Sequence, residues 1–359
     1  MKSKIPVAIV VPYRNRAALL PRTLNSLHAL TYRPLQILLV DDGSTDDSCE
    51  ICQIFKQRTD EDDFRTMLLR TKGEGVCRAR NVGLAACNAP WVYFFDSDDE
   101  ATPSYVDEVM GLLARDAKDG RPLPDIVACA TVMYFPDGRK KVRDTLQTAS
   151  VVDQILCGHM ATHGMFFNTG ALRAAGGWNE KLAKWNDWEL GVRMLWSGAA
   201  VQWMSGQKFH RIHQHPDSIT GTGFAPTRHA LRDAICEVER LLTQGSNFAT
   251  PSKVTLHSPS ASAWRKGWRN TDNDAASLLA LACRSAILYG KLAREVSSEV
   301  AAEVLGQAKD VANRIAPQTL SDMTVWVVSG YSRRIGTGAW RVALALSKAV
   351  TPFLRICKS

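Results

Sequence analysis

Apolar runs that stop abruptly at polar loops organise the first half of the chain. Ile5 to Val11 is a β-branched run ending at Pro12-Tyr13-Arg14-Asn15, which predicts a strand and a loop. Leu20, Leu24, Leu27 and Leu30 then recur at helical spacing. Leu35 to Val40 predicts a second strand, closed by Asp41-Asp42-Gly43-Ser44-Thr45-Asp46. There Gly43 permits a tight turn, and Ser44 or Thr45 can cap the next helix. A short strand over Thr66 to Leu69 precedes a Gly73-Glu74-Gly75 loop and a helix through Ala79, Val82, Leu84 and Ala85. Trp91 to Phe95 is an unbroken bulky apolar run that meets Asp96-Ser97-Asp98-Asp99-Glu100. Such a run predicts a strand covered on both faces.

Strands alternating with helices at this spacing imply a parallel sheet wound by right-handed crossovers. Ligands of such sheets bind beyond the carboxyl ends of the strands. Three of those ends carry Asn15, Asp42 and the pair Asp96 and Asp98. Carboxylates there are the hard oxygen ligands that a divalent cation on a pyrophosphate requires. Blander readings exist: an acidic start to the helix near Pro103, an Asx turn at Asp42, and a surface charge at Arg80. The nicotinamide-dinucleotide fingerprint is absent, since Arg78 stands where its third glycine would, and there is no phosphate-loop signature.

Further on, a helix is predicted from Pro103 to about Arg115 and a strand from Asp125 to Ala130. Met133 to Gln147 reads as a surface hairpin or loop, and Gly164 to Asn168 as a strand. The helix beginning at Leu172 is stopped by Gly176-Gly177 before Trp178. Lys184 to Leu190 opens a helix that turns Leu190, Met194 and Leu195 inward. If Phe209 to Pro216 is extended, Arg211, His213 and His215 share one face. From about Thr227 the texture changes. Leu231, Ile235, Val238, Leu241 and Leu242 form an amphipathic helix, Ser246 to Ser262 a polar linker, and Ala275–Tyr289 and Glu295–Ile315 further helices. After Asp322 there is no acidic residue, while Arg341, Lys348 and Arg355 recur every seven positions. That tail reads as a docked helix with solvated charges or as a basic helix on an anionic membrane surface.

Composition changes this picture little. At 45% hydrophobic and 22% charged, the 359 residues are those of a globular protein. A net charge of +8 suits an anionic partner but is dispersed, and no nucleic-acid recognition motif accompanies it. Nine scattered cysteines suit reduced thiols, and Cys49-x-x-Cys52 falls inside a predicted helix without a second pair, against a redox or zinc role. The short apolar run before Arg14 does not read as a signal peptide, and no stretch is long enough to span a bilayer.

Four pieces together resemble the GT-A glycosyltransferases of family 2. They are Val11-Pro12-Tyr13-Arg14-Asn15, Val40 to Asp46, Ala79-Arg80-Asn81-Val82-Gly83-Leu84 and Phe95-Asp96-Ser97-Asp98-Asp99, in the family's order. The resemblance covers about residues 5 to 220. It implies an α/β GT-A fold: a Rossmann-like, mostly parallel twisted sheet flanked by helices over 1–225, with a mainly helical C-terminal extension over 226–359. It further implies that Pro12, Tyr13, Asn15 and Asp42 line the base pocket, with Arg80 near base or phosphate. Asp96 would face ribose and Asp98 would ligate Mg²⁺ or Mn²⁺. The chemistry agrees, because a carboxylate can accept from the imide N–H of uracil and a tyrosine can pack beside a base. Arg211 would hold the diphosphate, and His213 would be an added metal ligand or an acceptor contact. Gly221-Thr222-Gly223 would be a mobile loop closing over donor.

By the same resemblance, Asp187 is the catalytic base. The family's usual Glu-Asp-aromatic is here Asn186-Asp187-Trp188, so Glu189 stays open as a second candidate. The function implied is a metal-dependent, inverting transfer of sugar from a nucleotide diphosphate donor, UDP-linked in the first instance, to a hydroxyl acceptor. A saccharide or lipid-linked saccharide acceptor in polysaccharide or glycolipid synthesis would fit. So would a cytoplasmic location, or one peripheral on the inner face of the membrane. Two alternatives stand beside it. One is a nucleotide-sugar-binding protein that has lost its base, supported by Asn186. The other is a sugar-nucleotide-synthesising nucleotidyltransferase, which would want a glycine-rich N-terminal loop instead of Pro12-Tyr13-Arg14-Asn15.

Overall fold

In the computed structural model, which describes residues 4–143, 149–158, 160–215, 228–244 and 274–295, the most enclosed strand is β1 (Val7–Tyr13), buried at every residue. It pairs in parallel with β2 (Leu35–Asp41) on one side and β4 (Trp91–Phe94) on the other, and β3 (Phe64–Arg70) lies parallel outside β2. Beyond β4 the sheet becomes mixed. β8 (Met165–Asn168) runs antiparallel to β4 and to β6 (Ile126–Tyr134), while β9 (Val201–His213) runs parallel to β6. The two-residue β5 (Glu100–Ala101) closes the edge against β9, giving the order β3-β2-β1-β4-β8-β6-β9-β5. β7 (Lys140–Arg143) folds back on β6, so the surface hairpin expected after Met133 is present.

Strand alternation divides the core between two faces. Val7, Ile9 and Val11 of β1 point into one cluster with Tyr93, Phe95 and Phe166, under α1 (Leu20–His28), α2 (Ser48–Thr59) and α4 (Tyr105–Lys118). Ala8 and Val10 point into the other, with Phe94, under α3 (Val76–Ala86), α5 (Val151–Cys157), α6 (Thr169–Ala174) and α7 (Asn186–Trp196). α8 (Arg228–Gln244) and α9 (Asp274–Glu295) contribute Leu231, Val238, Leu279 and Leu288 to this second cluster. The two described helices after residue 226 therefore share the core of the sheet domain.

Gly83 explains how closely α3 lies on β1: a Cβ there would stand 2.4 Å from Val10 Cγ1. β9 carries a register shift opposite Cys129 and Ala130, a bulge that bends the strand before its last residues. The loop at 221–223, the linker at 246–262, the helix expected after Glu295 and the basic tail lie outside the described residues. Among those described, no helix is long and apolar enough to cross a membrane.

Candidate active site

Because β2, β1 and β4 are neighbours, their carboxyl ends deliver three loops side by side. The first two are clipped together. Asn15, at φ +50°, donates its backbone N–H to Ser44 Oγ at 3.0 Å and accepts from the Thr45 N–H at 2.8 Å. Asp41 is consumed locally, accepting from the Ser44 N–H at 2.8 Å and lying 3.3 Å from Arg70 Nε. Asp42, also buried, accepts from the N–H groups of Glu74 and Gly75 at 2.9 Å and from the Thr71 hydroxyl. It thereby orders the Gly73-Glu74-Gly75 loop, and one lone pair on Oδ2 stays open. Pro12 and Tyr13 are buried at the end of β1. The phenol sits beside Cys49 and Cys52, where burial pushes its pKa up and that of Cys52 to about 12. Cys52 is thus a protonated packing thiol at neutral pH.

Arg80 of α3 joins the donor loops to α7. Its guanidinium donates to Asp96 Oδ1 and to Asn186 Oδ1, both at 3.1 Å, and lies 4.3 Å over the Trp178 ring. Trp178 is held by Asn81, which accepts from its N–H at 2.8 Å and donates to its carbonyl at 2.9 Å. Gly177 makes that turn at φ +67°, where a Cβ would meet Asn81 Oδ1 at 2.6 Å.

The acidic run after β4 is zipped onto the end of β9. Asp98 Oδ2 is 2.9 Å from His215 Nε2, Glu100 Oε1 is 2.7 Å from Arg211 Nη1, and Glu100 Oε2 is 3.2 Å from His213 Nε2. Arg211, His213 and His215 therefore all reach the acidic run, as a shared face predicts, and His213 meets Glu100 while His215 meets Asp98. From below, α1 grips the same loop. Arg22 donates to the Asp98 carbonyl, Thr23 Oγ1 lies 3.0 Å from Ser97 O and 2.8 Å from Asp99 O, and Ser26 Oγ accepts from the Ala101 N–H at 3.1 Å.

Asp99 and His210 form a buried chain behind this surface. Asp99 Oδ2 is 2.7 Å from His210 Nε2, His210 Nδ1 meets the Tyr93 hydroxyl, and that hydroxyl lies 2.8 Å from the His163 carbonyl. Burial holds the Asp99 carboxyl well above its usual range and pushes His210 down to about 4. Both shifts favour the uncharged forms of Asp99 and His210. Asp96, a third exposed, is pushed up to about 6 by lost hydration, with Asp99 and Asp98 adding and Arg80 opposing.

At the start of α7 the two candidate bases separate. Glu189 is buried in a two-point ion pair with Arg193, at 2.7 and 2.9 Å, and Arg193 also donates to the carbonyls of Ala175 and Gly177. Glu189 holds the glycine turn. Asp187 is half-buried and accepts from the Trp188 N–H at 2.8 Å through Oδ1. Trp185, immediately before the helix, stands at φ +54°. The sequence pattern assigns no site role to Thr23, Asn81, Trp178 or His210, although Thr23 falls on the inward stripe that Leu20, Leu24 and Leu27 define.

Among the described residues no three His, Cys, Asp or Glu side chains converge as a metal cage. The donors present fit a cation that takes one or two protein ligands and fills its shell with phosphate oxygens and water. Asp98 and His215 are such a pair.

Residues 8–175 match the family model described as Glycosyl transferase family 2. The glycosyltransferase GlyA of Streptococcus pneumoniae is 37% identical over 101 residues, which is 28% of this chain and 14% of that protein. The PGL/p-HBAD biosynthesis glycosyltransferase Rv2957 of Mycobacterium tuberculosis is 27% identical over 195 residues, or 54% of this chain and 71% of that one. S. aureus TarS 1-349 in complex with UDP-GlcNAc superposes with a TM-score of 0.62 at 14% identity, covering 96% of this chain and 92% of that one. The match to the longer TarS chain covers 55% of it at the same TM-score. At that identity the likeness is one of fold, the GT-A arrangement of a mixed, mostly parallel sheet between helices.

Proposed function

We propose, from a chain whose residues 8–175 match the model of glycosyl transferase family 2, that the protein is a glycosyltransferase moving sugar from a UDP-linked donor to a hydroxyl acceptor with inversion. The observation that carries the reading is the double contact of Arg80, which couples Asp96 on the donor side to Asn186, the neighbour of Asp187. A donor loop and the residue beside the candidate base are held by one buried cation.

Asp42, through the free lone pair of Oδ2, would accept from the imide of the base, with Asn15, Pro12 and Tyr13 shaping the pocket around it. Asp96 would bind ribose, and Arg80 and Arg211 would face phosphate. A divalent cation, Mn²⁺ or Mg²⁺, would be held by Asp98 with His215 or His213, and supplies neutralisation of the leaving diphosphate when bound. A histidine ligand suits Mn²⁺ better than Mg²⁺. Asp187 takes the acceptor hydroxyl's proton as that oxygen forms its bond to the anomeric carbon. The bond to the diphosphate breaks on the opposite face, and its electron pair leaves with the nucleotide.

TarS was solved with UDP-GlcNAc, which supports a nucleotide-sugar donor here. A saccharide or lipid-linked acceptor, and a peripheral place on the inner face of the cytoplasmic membrane, belong to the same proposal and rest on the family and on the basic composition after Asp322. The deciding experiment is a thermal-shift and product screen of UDP-, GDP- and dTDP-sugars with and without Mn²⁺. A UDP-sugar that stabilises the protein and is turned over supports the reading. Binding without turnover across acceptors would favour the binding-protein alternative, which Asn186 motivates.

A further inference from the structure

We propose that Arg284, on α9, is a positioning residue for the base Asp187, so that the catalytic unit extends beyond the family domain and beyond residue 225. The inference rests on the reading of Asp187 as base.

Asp187 is presented by an unusual turn. Trp185 occupies the left-handed region at φ +54°, a conformation costly for a bulky residue that persists only where its surroundings enforce it. What encloses this indole is visible. The Arg284 guanidinium lies 4.5 Å over the Trp185 ring and 5.9 Å from that of Trp188, and the two indoles stand 5.3 Å apart. Arg284 is anchored in turn by donating to the Leu156 carbonyl at 2.8 Å. Trp188 is anchored beside it, its indole N–H reaching the carbonyls of Gln154 at 3.1 Å and Ile155 at 3.0 Å. These three carbonyls belong to the last turn of α5, the negative end of the helix dipole, which favours a cation. Arg284 thus bridges α5 to the turn before α7.

Arg284 also acts through charge. It lies within electrostatic reach of Asp187, and although burial pushes its pKa down to about 10, it stays charged at neutral pH. Among the described residues no carboxylate makes an ion pair with Arg284. The backbone of α5, the two indole faces and the field of Asp187 account for its placement. A cation over an indole is attracted by the negative face of the ring, more strongly as it is desolvated, which biases the turn toward one geometry. Displacing a base by about 1 Å can lower turnover roughly 100-fold.

The test uses the full chain. Arg284→Met should lower kcat about 10- to 100-fold while the donor KM and the donor-induced thermal shift stay within about twofold. A purely structural residue would instead lower melting temperature and affect both constants. Arg284→Lys keeps the charge without the plane and should fall between the two, and it carries the test if the methionine variant does not fold. In an Asp187→Asn background, Arg284→Met should cost nothing further. Unchanged kcat in both Arg284 variants, or the same factor of loss in that background, would overturn the proposal. Full turnover of Asp187→Asn alone would instead remove the base reading, a result the Arg284 variants cannot mimic.

Discussion

Arg80 Nη2 lies 3.1 Å from Asp96 Oδ1, and the same guanidinium holds Asn186 from its other nitrogen. This pair is mostly enclosed, with the Arg80 side chain 6% exposed and that of Asp96 34%. Replacing Arg80 by Met leaves a partly buried carboxylate and an amide oxygen unpaired, a cost of about 1–3 kcal/mol discounted by the water that still reaches Asp96. Arg80→Met should therefore unfold at lower temperature and bind UDP at least tenfold more weakly in calorimetry. Arg80→Lys cannot span both partners and should recover the stability better than the binding. Wild-type UDP affinity in both variants would detach Arg80 from the donor site.

Asp98 and His215 pair a carboxylate with an imidazole on the acidic run, beside the pair of Glu100 and His213. If a cation shared by Asp98 and the diphosphate is needed, Asp98→Ala should abolish the extra stabilisation that Mn²⁺ gives to a UDP-sugar complex. A saturating ligand at about 100 times its Kd contributes about 2.7 kcal/mol, so the lost shift is measurable. His215→Ala should weaken Mn²⁺ support more than Mg²⁺ support, because imidazole is the softer ligand. A full Mn²⁺-dependent shift in Asp98→Ala would refute its role as ligand.

The sheet and its tips were legible because each strand is a local pattern: an apolar run, then a change of polarity. Asn15, Asp42, Asp96 and Asp98 stand at such changes, and neighbouring strands bring them together. What was not legible depends on contacts between distant segments. Thr23 under Asp99, His210 behind it and Arg284 against Trp185 are joined only by tertiary contacts, and the bulge in β9 shifts the register in which its histidines meet the acids. One ambiguity was within reach. Glu189 and Arg193 are four residues apart on a helix, the spacing of an ion pair, which marks Glu189 as structural.

Thr23 tests whether α1 matters to the site. Its single hydroxyl hydrogen serves the carbonyls of Ser97 and Asp99, inside the loop that carries Asp98. Thr23→Val keeps the shape and removes the donor, so stability should fall by about 1–2 kcal/mol. The donor KM should rise severalfold as the loop loosens, with kcat less affected. A variant that loses stability but keeps its donor KM would show that the loop needs no support from α1.

Gly83 tests the seating of α3, which carries Arg80. A methyl group at this position would stand 2.4 Å from Val10 Cγ1, so helix and strand must part. Gly83→Ala should lose about 1–3 kcal/mol in urea denaturation despite its better helix propensity. Adding Val10→Ala should restore part of that loss, since it removes the atom that is struck. Additive losses in the double variant would mean that the crowding lies elsewhere.

Asp187 and Glu189 differ in what their carboxylates already do, so the same chemical change should produce opposite phenotypes. Glu189 has both oxygens on Arg193 and is 3% exposed. Glu189→Gln weakens a buried ion pair and should cost roughly 3 kcal/mol of stability, while the folded enzyme keeps its kcat. Asp187 is half-buried, and its Oδ1 accepts from the Trp188 N–H. Asp187→Asn keeps the shape and removes the basic site, so kcat should fall about 100- to 10,000-fold at unchanged donor affinity and melting temperature. Single-turnover kinetics beside thermal unfolding separates the two. If Glu189→Gln lost turnover and Asp187→Asn lost only stability, the assignment of the base would have to be reversed.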